Sequence, residues 1–289
     1  MASIRNALTF DVEEYFHAEV FADVVRREEW PTLESRVVGS TERLLELLAE
    51  TATRATFFVL GWVAERHPGL VRTIAAQGHE VACHGFEHQM ITRLDRYEFA
   101  DDLRRAKAAV EDAAGMSVVG YRAPTFSVVK ETLWSLEVLA EQGFQYDSSI
   151  FPIIHDRYGI PDAPRFPHRA VAGLDRSIAE FPLSTIARSR WRFPVAGGGY
   201  FRLLPYVVTS WAVRDLNTRE RQPAIVYMHP WEIDPGQPRL GVGRLAQLRH
   251  SVNTGSALRK LRRLLGEFPF APVRDVLGAA GLMAPQRAA

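Results

Sequence analysis

Short apolar runs that stop abruptly on charged or imidazole side chains alternate with amphipathic stretches about six times along the chain, and this alternation restricts its fold most. The runs are Ala7 to Val12, Ala55 to Leu60, Glu80 to Cys83, Ser117 to Tyr121, Phe144 to Asp147, Ile178 to Phe181 and Ala224 to Met228. Their length and β-favouring content predict strands. Between them, Ser40 to Ala52, Glu65 to Gln77, Tyr97 to Ala114, Glu131 to Gln142 and Pro205 to Asn217 carry apolar residues at helical spacing. Ser40 or Thr41 is a candidate N-cap, and Gly78, Gly115 and Gly143 sit where helices close. Strand, then helix, repeated with short connections predicts a parallel α/β sheet. So many units without a linker favour one barrel over two domains.

In such barrels the C-terminal ends of the strands carry the chemistry, because the loops that follow are free to vary. Here those ends hold Asp11, Glu13 and Glu14, then His84 and His88, Arg122, Asp147 and His229. His84 and His88 are four residues apart and share one face if the chain turns helically after His84. Two imidazoles and a carboxylate, with a position left for water, form the ligand set of a hydrolytic zinc site. Asp11 and Glu13 are two apart, so one can ligate while the other takes a proton from the water. Cys83 precedes His84 in its strand and points to the opposite face, which makes it a packing residue.

Composition excludes several classes. With 47% hydrophobic and 24% charged residues the chain is neither disordered nor membrane-embedded. A balance of 35 basic and 34 acidic residues gives no overall nucleic-acid footprint. One cysteine rules out an internal disulfide framework, and the opening MASIRNALTF has no signal-peptide core, so a cytoplasmic location is expected. His155 to Leu174, rich in Pro, Arg and Asp, reads as a long loop over the barrel mouth. Ala196 to Tyr200 (AGGGY) lacks the Gly-Lys-Ser/Thr of a phosphate loop and reads as a turn.

Taken in order, LTFDVEE, HGFEH, YRAP, YDSS and YMH resemble the five motifs of the NodB-like polysaccharide deacetylases, over about Leu8 to Trp231. The resemblance implies a distorted (β/α)7 barrel, a divalent metal and hydrolysis of N-acetyl groups on hexosamine units of a bacterial polysaccharide or its precursor. It makes Asp11 the general base, His84 and His88 metal ligands, and Arg122 the partner that orients Asp11. His229 becomes the general acid and Asp147 the group that fixes its tautomer. The family usually has two adjacent aspartates in its first motif, where this chain has Asp11, Val12 and Glu13; the carboxylate ligand is then Glu13, or else Glu14. Zinc is the metal first expected, and cobalt, nickel or iron suit the same ligands.

Tyr15, Phe126 and Trp231 are candidate sugar contacts. Residues 232–289 are expected to form a C-terminal helical extension packed on the barrel, within one domain spanning residues 1–289. The sequence HPWEIDPGQPR and the basic stretch Ser256 to Leu265 resemble an extension of the exopolysaccharide- and exosortase-associated deacetylases. Ser256 to Leu265 reads first as an amphipathic helix docked on the barrel. Attraction to an anionic membrane surface or to a lipid-linked glycan is its second reading. Three rival functions remain: a cyclic imide or amide hydrolase of the same fold, an HxxEH zinc peptidase with Glu87 as base, and a non-catalytic glycan-binding barrel.

Overall fold

Side chains on a strand point alternately to its two faces, and in this protein that parity decides what enters the barrel. The computed structural model describes residues 4–173, 176–189, 191–195 and 197–283. The chain runs through β1 (Asn6–Val12), α1 (Val37–Glu50), β2 (Thr56–Val59), α2 (Gly61–Arg66), α3 (Pro68–Ala76), β3 (Glu80–Cys83) and α4 (Arg96–Ala114). It continues with β4 (Gly120–Tyr121), α5 (Ser135–Glu141), β5 (Tyr146–Asp147), β6 (His168–Val171), β7 (Ser177–Glu180), β8 (Thr185–Arg188) and β9 (Trp191–Pro194). The last elements are α6 (Gly198–Leu203), α7 (Tyr206–Asp215), β10 (Ile225–Met228), α8 (Arg244–Ser251), α9 (Thr254–Glu267), β11 (Phe270–Ala271) and α10 (Val273–Ala279).

Seven parallel strands lie in the order β10, β1, β2, β3, β4, β5, β7 and curl into the expected barrel. β6 adds an antiparallel edge beside β7, and β11 pairs with the start of β1. The distortion lies between β7 and β10, where the described residues form no ladder. Instead the Ile225 amide donates to the Ser184 hydroxyl at 2.8 Å, and Gly197 bridges to Tyr227. Inside the curl lie Ala7, Phe58, Ala82, Tyr146, Ala179, Ile225 and Tyr227. The alternate residues Leu8, Phe10, Phe57, Val81, Cys83, Tyr121 and Val226 pack outward against the helices. Cys83 thus faces away from His84, as its register predicts.

Several helix boundaries depart from the sequence reading. α1 begins at Val37, so Ser40 and Thr41 lie inside it, and the Thr41 hydroxyl donates to the Val37 carbonyl at 2.6 Å. Its first amides are capped from a distance: the Glu14 carboxylate accepts from the amides of Arg36 at 2.9 Å and Val37 at 3.2 Å. Acid at a helix N-terminus is favoured by both those unpaired amides and the helix dipole. The stretch 65–77 is split at Pro68, whose ring cannot continue a helix and which opens α3 instead. α9 buries Ala257, Leu261 and Leu264 and turns Arg259, Arg262 and Arg263 outward, while Lys260 reaches inward to the Leu204 carbonyl at 2.6 Å.

Gly120 shows how tightly the interior is filled. A Cβ there would stand 2.0 Å from the Tyr146 ring, and that ring is anchored by its hydroxyl, which donates to Glu80 at 3.0 Å. Gly120→Ala is therefore expected to lower unfolding free energy by about 1–3 kcal/mol, the usual range for overpacking. Urea titration reads this directly, and an unshifted midpoint would show that the interior yields.

Candidate functional site

Parity brings Thr9, Asp11 and Glu13 to one face of β1 and its continuation, beside His84 after β3, Arg122 after β4 and His229 after β10. Glu13, His84 and His88 are buried, and their ligand atoms lie within 4.8 Å of one another. The two histidines are not on a helix. The chain bends through left-handed Gly85 (φ 75°) and His88 itself (φ 51°), a conformation that a bulky side chain adopts only when its surroundings hold it.

The His84 Nδ1 lies 2.8 Å from the Arg122 carbonyl, a contact that places the proton on Nδ1 and leaves the Nε2 lone pair for a ligand. Burial lowers the His84 pKa to about 4, so the ring is neutral, as a ligand must be. Burial alone would raise the Glu13 carboxyl, but the imidazoles of His88, His229 and His84 outweigh it and hold it below the usual carboxylate range. Glu13 Oε1 accepts from Trp231 Nε1 at 3.0 Å. Glu13 Oε2 lies 2.9 Å from His88 Nε2, yet without the geometry of a hydrogen bond it has no hydrogen-bonded partner. An orphaned buried carboxylate oxygen facing two imidazole nitrogens fits a divalent cation. Glu14 does not, because its carboxylate is spent on α1.

Arg122 is fully buried. Its Nη1 donates to Asp11 Oδ1 at 2.7 Å and to the Thr9 hydroxyl at 2.8 Å. Its Nε and Nη2 reach the Ser148 carbonyl and hydroxyl, each at 3.0 Å, and the guanidinium lies 4.1 Å over the Phe58 ring. Asp11 is thereby fixed with its second oxygen, Oδ2, 3.8 Å from His229 Nε2.

The partner of His229 differs from expectation. Its Nδ1 lies 2.7 Å from Glu232 Oε1, not beside Asp147. Tyr146 points into the barrel, so its neighbour Asp147 points out, where it accepts from the Ser149 hydroxyl and amide and stands opposite Glu180. Burial raises both of those carboxyls, and each stands beside the other. Glu232 is fully buried, and its Oε2 accepts from Arg202 Nε at 2.6 Å. Burial would raise its carboxyl, but Arg202 and His229 prevail and lower it. For His229 burial acts downward, yet Glu13, Glu232 and Asp11 raise it to about 9, while 17% of its side chain stays exposed to the cavity. Glu232 was readable in HPWE, because an acid three residues after the start of a turn can reach back; it also accepts the His229 amide at 3.0 Å. Arg202, 30 residues upstream, left no such signal.

Of the three aromatic candidates, Phe126 and Trp231 reach the cavity and Tyr15 does not, and Phe126 is the one whose faces no imidazole covers. It lines the cavity of about 180 Å³ together with Tyr158 and Tyr227, on a chain bent through left-handed Thr125 and Phe126. Tyr15 is buried edge-on against Phe16 in the cluster that also holds Trp30 and Trp231, and presents no face to a sugar. Trp231 reaches the cavity wall, but its ring is stacked between His229 (4.8 Å) and His250 (4.3 Å), so its faces are covered and its nitrogen serves Glu13. The loop from His155 reaches the mouth through Tyr158 and ends in β6; Leu174 lies outside the described residues. Ala196 lies outside them too. Gly197 and Gly198 pack on Tyr227, where a Cβ on Gly197 would come within 2.0 Å of the ring. Glu87 stands 3.9 Å from Arg27 and 3.8 Å from Arg105, in a segment that is not helical, which removes the helix that an HxxEH peptidase needs.

Residues 7–146 match a family model described as polysaccharide deacetylase, and residues 148–278 match one described as a domain of unknown function, DUF3473. A chitooligosaccharide deacetylase from Rhizobium leguminosarum bv. trifolii is 33% identical over 100 residues, 35% of this chain and 44% of that protein. The chain spans less than half the length of the curated relatives it matches. A crystal structure described as a putative polysaccharide deacetylase from Mycobacterium smegmatis covers 99% of this chain and 94% of its own, at 25% identity and TM-score 0.63. A family 4 carbohydrate esterase from Streptomyces lividans, in complex with acetate, shares the fold at 19% identity and TM-score 0.51, covering 94% and 93%.

Titrating the metal-stripped protein with zinc separates the two acids. Glu13→Gln is expected to abolish tight binding, whereas Glu14→Gln leaves affinity unchanged. Trp231→Phe, which removes the hydrogen bond to Glu13 and leaves a smaller aromatic ring beside His229 and His250, should weaken binding about 10- to 100-fold.

Proposed function

We propose that this chain, whose residues 7–146 match the polysaccharide deacetylase family model, removes N-acetyl groups from hexosamine residues of a bacterial polysaccharide or its precursor. The observation that carries this reading is convergence on one cavity of an orphaned carboxylate oxygen, two imidazoles, a carboxylate clamped by Arg122 and an imidazole held by a second carboxylate. A divalent ion held by Glu13, His84 and His88, zinc in the first instance, would supply Lewis acidity that polarises the acetamide carbonyl and acidifies water.

The chain's own groups do the rest. Asp11, oriented by Arg122, takes a proton from the water as it attacks the carbonyl carbon. His229, in its imidazolium form, gives the proton on Nε2 to the amine nitrogen as the carbon–nitrogen bond breaks, since an unprotonated amine leaves poorly. Acetate and the free amine result. Glu232 holds the other ring nitrogen and, not being a ligand, keeps its attraction for the imidazolium when the charge of Glu13 is spent on a cation. Phe126 and Tyr158 at the rim offer apolar ring surface to a sugar.

Acetate release from N-acetylglucosamine oligomers, nucleotide sugars and lipid-linked saccharides, with added zinc, tests the proposal. Ring opening of a cyclic imide in place of acetate release would replace it. Asp11→Asn and His229→Ala are each expected to lower kcat by about 10²–10⁴-fold with metal still bound. Glu232→Gln should cut kcat about 100-fold with KM little changed, because it disturbs the ring's orientation. Glu87→Gln should be fully active, and its loss of activity would move the reading to the peptidase.

A further inference from the structure

Helix α8 is amphipathic with its polar side inward. His250, on the inner face, is buried: its ring stacks on Trp231 at 4.3 Å, meets Phe21 edge-on at 4.7 Å, and its Nε2 lies 2.8 Å from Gln237 Oε1. On the outer face Leu245 and Leu248 are 62% and 60% exposed. With 3.6 residues per turn, these leucines occupy the middle of the exposed arc, and Arg244 and Arg249, also exposed, lie at its two edges. The helix cannot roll to bury them. Arg202 Nη1 donates to the carbonyls of His250 at 2.9 Å and Val252 at 2.7 Å, which pins its C-terminal end.

The charge around this helix has one sign. From Pro235 to Gly266 there is no acidic residue, while Arg239, Arg244, Arg249, Arg259, Lys260, Arg262 and Arg263 give seven cations. Arg262 pairs with Glu50 and Arg263 with Glu267, but Arg239, Arg244, Arg249 and Arg259 make no ion pair among the described residues. Leu203, next in sequence to the arginine that grips α8, and Val207 add further exposed apolar surface. Cations alone would suit any polyanion. Exposed leucines between arginines suit a surface that is anionic outside and apolar beneath, which is the boundary of a lipid bilayer.

We propose that the outer face of α8 docks on an anionic lipid bilayer, with Leu245 and Leu248 entering the headgroup boundary and Arg244 and Arg249 on lipid phosphates. The docked helix backs directly onto Trp231, so one wall of the cavity is held close to the bilayer surface. This surface stands apart from the deacetylase reading, since lipid binding is measured without turnover.

Flotation of the full chain with vesicles of phosphatidylglycerol and phosphatidylcholine in equal parts, and with phosphatidylcholine alone, tests it. Binding to the mixed vesicles is expected to be about 10-fold or more the stronger and to fall as salt rises. Leu245→Ser with Leu248→Ser, and separately Arg244→Gln with Arg249→Gln, should each weaken it about 10-fold. Circular dichroism and zinc affinity should stay unchanged. Failure of the unaltered chain to float, flotation indifferent to both double variants, or a dimer in light scattering that the leucine variant dissolves while vesicle binding persists would each overturn the proposal.

Discussion

A guanidinium with no exposure to water must spend its donors inside the protein, and Arg122 does so on two strand ends at once, from the end of a third. It reaches Thr9 and Asp11 of β1, and Ser148 just beyond β5, from its own place at the end of β4. Leaving any of these donors unmet would cost more than the bond itself contributes, because a buried charge cannot fall back on water. The need to satisfy Arg122 therefore fixes the spacing of the strand ends, and Asp11 is fixed with them. The backbone carbonyl of the same residue orients His84, so one position serves both the proposed base and a proposed ligand.

The two matched stretches meet in this site, and neither holds all of it. Residues 7–146 contribute Asp11, Glu13, His84, His88 and Arg122; residues 148–278 contribute Ser148, Arg202, His229, Trp231 and Glu232. β10 lies directly beside β1, with Phe10 level with Met228, which is how His229 comes to stand 3.8 Å from both Asp11 and Glu13. Trp231 joins the halves more closely still, bonding to Glu13 while its ring lies between His229 and His250.

Strand-and-helix alternation made the barrel legible, because buried parallel strands and their helices each leave a strong periodic signal. Elements with mixed exposure did not. The β8–β9 hairpin leaves Trp191 and Phe193 exposed and buries the adjacent Thr185 and Ile186, so no alternation of buried and exposed residues marks it in the sequence. The cap of α1 comes from Glu14, 23 residues before Val37, and no local pattern could announce it. Asp147 is a different failure, since the signal existed. Counting alternate faces from Tyr146 would have sent it outward and turned attention to Ser148, the residue of that motif that holds Arg122.

Three acids within four residues, Asp11, Glu13 and Glu14, have the same chemistry and differ only in what else holds them. Arg122 clamps one oxygen of Asp11, which leaves Oδ2 facing His229, where the proposed reaction needs a base. The α1 amides and the Ser35 hydroxyl occupy Glu14, so that acid stabilises a helix. Trp231 takes one oxygen of Glu13 and leaves the other bare between two imidazoles. In the isolated peptide the three carboxylates would be interchangeable. Strand parity divides Asp11 and Glu13 from Glu14, and a guanidinium and an indole then give the remaining two opposite tasks.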